Sequence, residues 1–208
     1  MDYINSLFDT EPAEDIPEEC QNCSAVGCGG VKDSDRGLGL VHIYCGDGKG
    51  KTTAATGLAV RCAGAGNKVL MYQFIKKNDS SEVESLSLLP GVTRVPSLPM
   101  DKFTFMMSEE EKADMCKKNN EKLDELIELA KSYDMIVLDE AVYAIDLNML
   151  DEKKVIDWLK NKPKHLEVVL TGRNPSEALC EAADYVSEIR KLKHPFDAGI
   201  SSRVGIEK

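Results

Sequence analysis

Apolar residues in this chain form short runs, separated by longer segments in which apolar positions recur every three or four residues. The short runs predict strands at residues 40–45, 69–75, 135–138, 167–171 and 185–189. The longer spacing predicts helices at residues 52–65, 108–132 and 151–161 and after Pro175. Strands that alternate with helices predict an α/β fold, in which helices flank a mostly parallel sheet.

Two local patterns refine this prediction. Ser108 and Glu111 have the spacing of a capping box, which marks the start of the long third helix. Residues 76–107 are the least regular stretch, and their length suggests a functional loop region rather than a simple connection.

A glycine-rich run follows the first predicted strand and leads into the first predicted helix. It consists of Gly46, Asp47, Gly48, Lys49, Gly50, Lys51, Thr52 and Thr53. Glycines let backbone amides approach an anion, and a helix N-terminus favours negative charge. Lys51 is placed to reach phosphate oxygens, Lys49 adds a second cation, and the Thr52 hydroxyl stands where a Mg²⁺ ligand is expected. Cys45 replaces the first glycine of the common pattern, so the loop is one residue shorter, but its strand–loop–helix context predicts a site for a nucleoside triphosphate.

Further candidate residues follow strands or lie near the loop. Asp139 and Glu140 come directly after an apolar run, so they are expected beside the phosphate loop as oxygen ligands for Mg²⁺. Arg61 is a candidate phosphate contact or a residue on a solvated helix face. Arg173, after another strand, is equally a phosphate or carboxylate contact or a surface arginine. His42 and His165 are interpreted as structural residues.

Composition limits the remaining possibilities. The 208 residues carry a net charge of −10 with a pI near 4.9, which argues against a general nucleic-acid or anionic-membrane surface. No apolar run is long enough to span a membrane and residues 1–10 do not resemble a signal peptide, so we expect a cytoplasmic protein. Residues 1–19 are acidic and hold no Lys or Arg. We therefore predict a flexible or capping extension over residues 1–37 and one domain over residues 38–208.

Three cysteines lie within the predicted extension. Cys20, Cys23 and Cys28 have a spacing that is compatible with zinc or an iron–sulfur cluster. Only three such ligands are present locally, so a metal-free, thiol-rich segment is the preferred interpretation, and we expect no stoichiometric metal. The seven cysteines do not suggest a disulfide framework.

Several motifs together resemble one known family. They are the GDGKGKTTAA loop, QFIK at residues 73–76, VLDE at 137–140, LTGR at 170–173 and KHPFDAGI at 193–200, followed by Gly205, Ile206 and Glu207. In this combination the chain, from about Gly39 to its end, resembles the corrinoid adenosyltransferases of the CobA, BtuR or CobO type. Those enzymes transfer the 5′-deoxyadenosyl group of ATP to the cobalt of a reduced corrinoid.

The resemblance implies a phosphate-loop, RecA-like domain and roles for individual residues. The loop would hold the triphosphate of ATP in reversed orientation, so that C5′ of the ribose faces cobalt, with Thr52 and Glu140 on Mg²⁺ and Arg61 near the phosphates. Lys49 and Lys51 would stabilise the leaving triphosphate, and His194 would be an adenosine-side or structural residue. A homodimer and an electron-donating reductase are also implied. The corrinoid, either complete cobalamin or a precursor, is left open.

One motif departs from the family. Members carry a Phe, Thr, Trp segment against the lower face of the corrinoid, and here Phe103, Thr104 and Phe105 take its place. The resemblance assigns both phenyl rings to that face, where they would displace the axial ligand of cobalt. The alternative is that they are core residues on one side of a short strand. Two other functions also remain open, a Mg²⁺-dependent ATPase or kinase and a nonenzymatic ATP- or corrinoid-binding regulator.

Overall fold

The computed structural model describes residues 37, 39–76, 81–100, 102 and 104–207. The predicted N-terminal extension, with Cys20, Cys23 and Cys28, lies outside these residues, and so does Phe103. The boundary between residues 37 and 38 therefore remains a prediction. Within the described part, no helix is both long and apolar enough to cross a membrane.

Six strands form one parallel sheet. They are β1 (Val41–Cys45), β2 (Val69–Gln73), β3 (Val92–Arg94), β4 (Met135–Asp139), β5 (Glu167–Thr171) and β6 (Tyr185–Glu188). Their order across the sheet is β3-β2-β4-β5-β1-β6, and every pairing is parallel. The predicted α/β fold is confirmed, with β5 lying between the strand before the phosphate loop and the strand that ends at Asp139.

Helices cover both faces of this sheet. They are α1 (Lys51–Gly64), α2 (Ser81–Ser87), α3 (Glu109–Ala130), α4 (Ala141–Asp146), α5 (Glu152–Asn161) and α6 (Glu177–Glu181). Because successive strand residues point to opposite faces, each central strand contributes to two hydrophobic clusters. Val69 and Met71 of β2 pack with α1 and α2, whereas Leu70 and Tyr72 pack on the opposite face with α3 and the later helices.

The long helix α3 begins where its capping box predicts. The backbone N–H of Glu111 donates to the Ser108 side chain, and the Glu111 carboxylate accepts from the backbone N–H of Ser108. The interpretation of residues 76–107 as loop was incomplete, because this stretch contains α2 and β3. Both are short, with α2 seven residues long and β3 three, so neither gives a clear periodic signal. Helix α4 was missed for the same reason.

Candidate functional site

The phosphate loop is supported by the segment that follows β6. The Gly48 N–H donates to the Ile189 carbonyl at 2.7 Å, and the Lys191 N–H donates to the Asp47 carboxylate at 2.8 Å. A Cβ on Gly46 would lie 2.5 Å from the Ile189 carbonyl oxygen, and one on Gly48 would lie 2.7 Å from it. The close approach of the neighbouring backbone therefore requires glycine at both positions. Asp47 stabilises the loop by accepting the hydrogen bond from the Lys191 N–H.

The loop lysines take different positions. Lys51 is 9% exposed and its Nζ donates to the Gly48 carbonyl at 2.8 Å, inside the loop. Burial, and then the positive charge of Arg173, lower the pKa of Lys51 from its ordinary value. Lys49 is exposed and lines the cleft above the loop. The loop thus offers two cations to an anionic ligand. Lys51 is buried within the loop, and Lys49 is exposed on a long, flexible side chain.

Asp139 is the centre of a buried polar cluster at the end of β4. One carboxylate oxygen accepts from the hydroxyls of Thr171 at 2.6 Å and Thr52 at 2.9 Å, and the other from Lys76 at 2.7 Å and Gln73 at 3.0 Å. Burial alone would raise the pKa of Asp139, but the Lys76 ammonium and these hydrogen bonds hold the pKa below its usual range. Asp139 is fully buried, and the Lys76 ammonium and the hydroxyl hydrogen bonds favour its anionic form despite that burial.

Glu140 differs from its neighbour. It adopts a left-handed backbone conformation, with φ 58°, and its N–H donates to the Thr171 hydroxyl at 2.9 Å. Such a φ is uncommon outside glycine, and it directs the chain sharply into α4. The Glu140 side chain is 20% exposed and lines the cleft, with Lys76 Nζ 3.9 Å from Oε1. Burial, and then the charge of Asp139, raise the pKa of Glu140.

Lys76 and Arg173 bring positive charge to the same cleft. Lys76 follows β2, and its Nζ donates to both Thr52 Oγ1, at 3.0 Å, and Asp139. Although burial lowers the pKa of Lys76, the Asp139 carboxylate more than offsets this and raises it above the ordinary value. Arg173 follows Gly172, where a Cβ would lie 2.3 Å from the Tyr143 N–H nitrogen. Only glycine lets β5 end so close to α4, and this places Arg173 beside the loop.

Two adjoining clefts meet at these residues. The smaller, of about 320 Å³, lies over the phosphate loop, and the larger, of about 1410 Å³, extends from it toward α2 and Phe105. Thr52, Lys76, Glu140 and Arg173 line both clefts. Ligands bound in the two clefts would therefore both contact this cluster.

The C-terminal segment forms the opposite wall of the smaller cleft. His194 lines it, and its Nδ1 accepts from the Phe196 N–H at 3.1 Å to cap a short 3₁₀ turn at Pro195–Ala198. Arg203 and Glu207 pair with each other at the same wall. The segment 193–207 thus lies over the phosphate loop, as expected if it belongs to the same site.

Two predicted site residues do not line the cleft over the phosphate loop. Arg61 is exposed in the last turn of α1 and lines neither cleft, since a rise of about 1.5 Å per residue carries it roughly 15 Å along the helix from Lys51. Phe105 is 82% exposed and lines the larger cleft. It lies in a 3₁₀ turn, Thr104–Met106, and not in the extended segment that would place residues two apart on one side. The described ring is therefore not a core residue.

Comparison with known proteins identifies the family. A model described as "ATP:corrinoid adenosyltransferase BtuR/CobO/CobP" matches residues 37–207. The corrinoid adenosyltransferase of Escherichia coli K12 is 34% identical over 170 residues, which cover 81% of this chain and 85% of that protein. The chain belongs to the ATP:corrinoid adenosyltransferase family. The predicted resemblance is confirmed.

Other relatives agree with this assignment. Corrinoid adenosyltransferase CobA of Salmonella typhimurium is 35% identical over 181 residues, with 85% of this chain and 89% of that protein covered. A corrinoid adenosyltransferase of a Sinorhizobium species is 36% identical over 173 residues, covering 81% and 80%. Among solved structures, EssC of Geobacillus thermodenitrificans aligns at a TM-score of 0.46 and 18% identity over 80% of this chain and 35% of that one, a likeness too distant to bear on function.

Some site residues of this family member were not assigned a role by sequence reasoning. The sequence presents Lys76 and Gln73 only as parts of the QFIK motif, and Thr171 only as part of LTGR. Each of them ends or follows a strand at the same edge of the sheet as Asp139, and that position was the available signal. Glu82, which accepts from Gln73 at 3.2 Å, gave no such signal because it lies in the undetected helix α2.

Proposed function

We propose that this protein transfers the 5′-deoxyadenosyl group of ATP to the cobalt of a reduced corrinoid. The electron pair of Co(I) attacks C5′ of the ribose, a cobalt–carbon bond forms, and the C5′–oxygen bond breaks. The bonding electrons leave with the triphosphate. No protein nucleophile is needed, so the chain's task is to align the two substrates and to stabilise the leaving group.

The observation that carries this proposal is the junction of the two clefts. The smaller cleft has the features of a phosphate site, and the larger exceeds the roughly 300–1,000 Å³ of ordinary small-molecule sites. A large macrocycle in the larger cleft would meet the nucleotide at the shared wall. This is the arrangement that a transfer between ATP and a corrinoid requires.

The positive side chains of the smaller cleft would stabilise the triphosphate. Lys51 lies at the start of α1, where the helix N-terminus also favours negative charge, and Arg173 approaches from the end of β5. Lys49 is exposed and can follow the phosphates as charge develops on the leaving oxygen. In this proposal His194 supports the C-terminal wall against the nucleotide through its hydrogen bond to Phe196.

The donor set beside the loop fits Mg²⁺. Thr52 Oγ1 and the Glu140 carboxylate face the cleft, and an ammonium group already lies among these oxygens. Among the described residues no group of three or more His, Cys, Asp or Glu side chains could hold a metal ion, so phosphate oxygens would supply the remaining ligands. That is the usual Mg²⁺ arrangement. When bound, the ion would neutralise charge on the triphosphate. Asp139, whose oxygens already accept four hydrogen bonds, would orient Thr52 rather than bind the ion.

The exposed ring of Phe105 supports a role in corrinoid binding. A phenyl ring that lines a cleft of this size offers an apolar surface to a planar macrocycle. We propose that it excludes water and the axial ligand below cobalt, which would ease addition of the second electron. Phe103 is assigned to the same surface from the family motif alone.

Three further features belong to this proposal. An electron donor must reduce cobalt before transfer, so we expect a reductase partner. We also expect a homodimer, since β6 lies at the edge of the sheet with Tyr185 and Val186 about half exposed. A cytoplasmic location is proposed together with these partners.

Product analysis tests the reaction. Protein, ATP, Mg²⁺ and chemically reduced cobalamin, or a precursor corrinoid, are incubated without oxygen. Phosphorus NMR should show triphosphate accumulating one for one with the adenosylated corrinoid, which is followed by its absorption spectrum. ADP as the main product would support an ATPase or kinase instead. Tight binding of both substrates without any product would support a regulator.

A further inference from the structure

The Lys76 ammonium lies among oxygen atoms of the kind that bind hard divalent cations. Its Nζ lies 3.0 Å from Thr52 Oγ1, 2.7 Å from Asp139 Oδ2 and 3.9 Å from Glu140 Oε1. These three oxygens are a hydroxyl and two carboxylates, which is the ligand chemistry of hard divalent cations. The ammonium is thus a tethered cation in the space between Thr52 and Glu140.

A divalent ion and this ammonium cannot share that space. Like charges a few ångströms apart repel strongly at the low effective dielectric of a protein interior. If Thr52 and Glu140 held a divalent ion, the Lys76 ammonium would therefore have to pair with another anion. Because Lys76 lines both clefts and has a flexible four-carbon stem, a triphosphate over the loop lies within its reach.

We propose that Lys76 is an internal counter-ion that keeps this oxygen cluster closed to free divalent cations until ATP binds. When the triphosphate arrives, the ammonium would leave Thr52 for a phosphate oxygen, so that Thr52 and Glu140 would be available to hold Mg²⁺. Lys76 is a positioning residue in this scheme, which rests on the proposed ATP site. It would couple metal binding to nucleotide binding, so that metal enters only with its substrate.

Manganese binding without nucleotide tests the proposal directly. Free Mn²⁺ is measured by electron paramagnetic resonance in titrations of wild-type protein, K76M and K112M. Lys112 is a matched control, since its side chain is 26% exposed against 25% for Lys76 and it pairs with Glu109 at 2.8 Å, outside both clefts. We expect K76M to bind Mn²⁺ at least about tenfold more tightly than wild type, with K112M unchanged. Equal affinity of K76M and wild type would overturn the proposal.

A second measurement does not depend on the folding of a variant. In a crystal structure of the wild-type protein with Mg²⁺ and a non-hydrolysable ATP analogue, Lys76 Nζ should lie within about 3.2 Å of a phosphate oxygen and away from Thr52 Oγ1. An ammonium that still bonds Thr52 beside a bound ion would refute the exchange. Neither experiment contains a corrinoid. The coupling of metal and nucleotide binding can therefore be confirmed even if adenosyl transfer fails, and adenosyl transfer can be confirmed even if the coupling fails.

Discussion

Replacing Asp139 by Asn should destabilise the whole domain. Asn keeps the shape of the side chain but removes its charge and turns one of its two acceptor atoms into a donor. In the wild-type protein, four donors converge on Asp139, which has no exposed surface. In D139N the side-chain NH₂ group therefore faces at least one of these four donors. The Lys76 ammonium also loses its nearest anion.

The expected loss of unfolding free energy is about 3–5 kcal/mol, the range for removing one partner of a buried ion pair. The lower end is expected, because the Lys76 side chain is 25% exposed and its ammonium can regain some water. Asp124→Asn is the control. Asp124 pairs with Lys154 at 2.7 Å, but its side chain is 63% exposed, so its loss should cost only about 0.2–1 kcal/mol.

Urea denaturation followed by far-ultraviolet circular dichroism measures both variants at neutral pH. The pKa of Asp139 is lowered in the folded protein, so its stabilisation is present above the unfolded pKa and is lost as the pH falls through the folded pKa. The difference in unfolding free energy between wild type and D139N should consequently become smaller at pH values below about 4. A loss at neutral pH no larger than that of the Asp124 control would show that the charge network does not stabilise the fold.

Substitutions at three other site residues, with Gly57→Ala as a control, test the site. Lys51→Ala should lower adenosyl transfer about 10²–10³-fold in a steady-state assay while leaving the circular dichroism spectrum intact, and near-normal turnover would remove this lysine from the mechanism. Phe105→Ala should diminish the four-coordinate component in the electron paramagnetic resonance spectrum of cob(II)alamin with ATP and protein, whereas Phe105→Trp should keep it; an unchanged Ala spectrum would contradict the lower-face role. Gly48→Ala should lower the melting temperature, because its Cβ would lie 2.7 Å from the Ile189 carbonyl oxygen. Gly57→Ala, in open space on α1, should raise stability by about 0.5–1 kcal/mol, and equal effects of the two would refute the steric reason.

The regular elements of this fold were predictable because their patterns are strong. The buried run before Asp139 and the capping box of Ser108 each have a distinct local signature, and both are present in the structure. Helix α2 and strand β3 were not predicted, since elements of this length lack a full period of apolar residues. The position of the phosphate loop followed from its glycines and from the strand before it.

The different roles of neighbouring residues within the site were harder to predict from the sequence. Asp139 and Glu140 are adjacent carboxylates in the sequence, yet one is buried in hydrogen bonds and the other faces the cleft. This difference depends on Thr171 and Gln73, which come from neighbouring strands, so a single segment cannot reveal it. Nearness in the sequence was also a poor guide for Arg61. It lies ten residues after Lys51 of the phosphate loop but lines neither cleft.

The support of the phosphate loop by the end of β6 has a consequence for regulation. Ile189 donates to the Cys45 carbonyl and accepts from Gly48, so the first residue after the outer strand β6 fixes the backbone of the phosphate loop. The strand itself is exposed along its length. A change at β6, such as its pairing with a strand of another chain, would therefore reach the phosphate loop through the hydrogen bond between Ile189 and Gly48, and Gly48 lines the cleft.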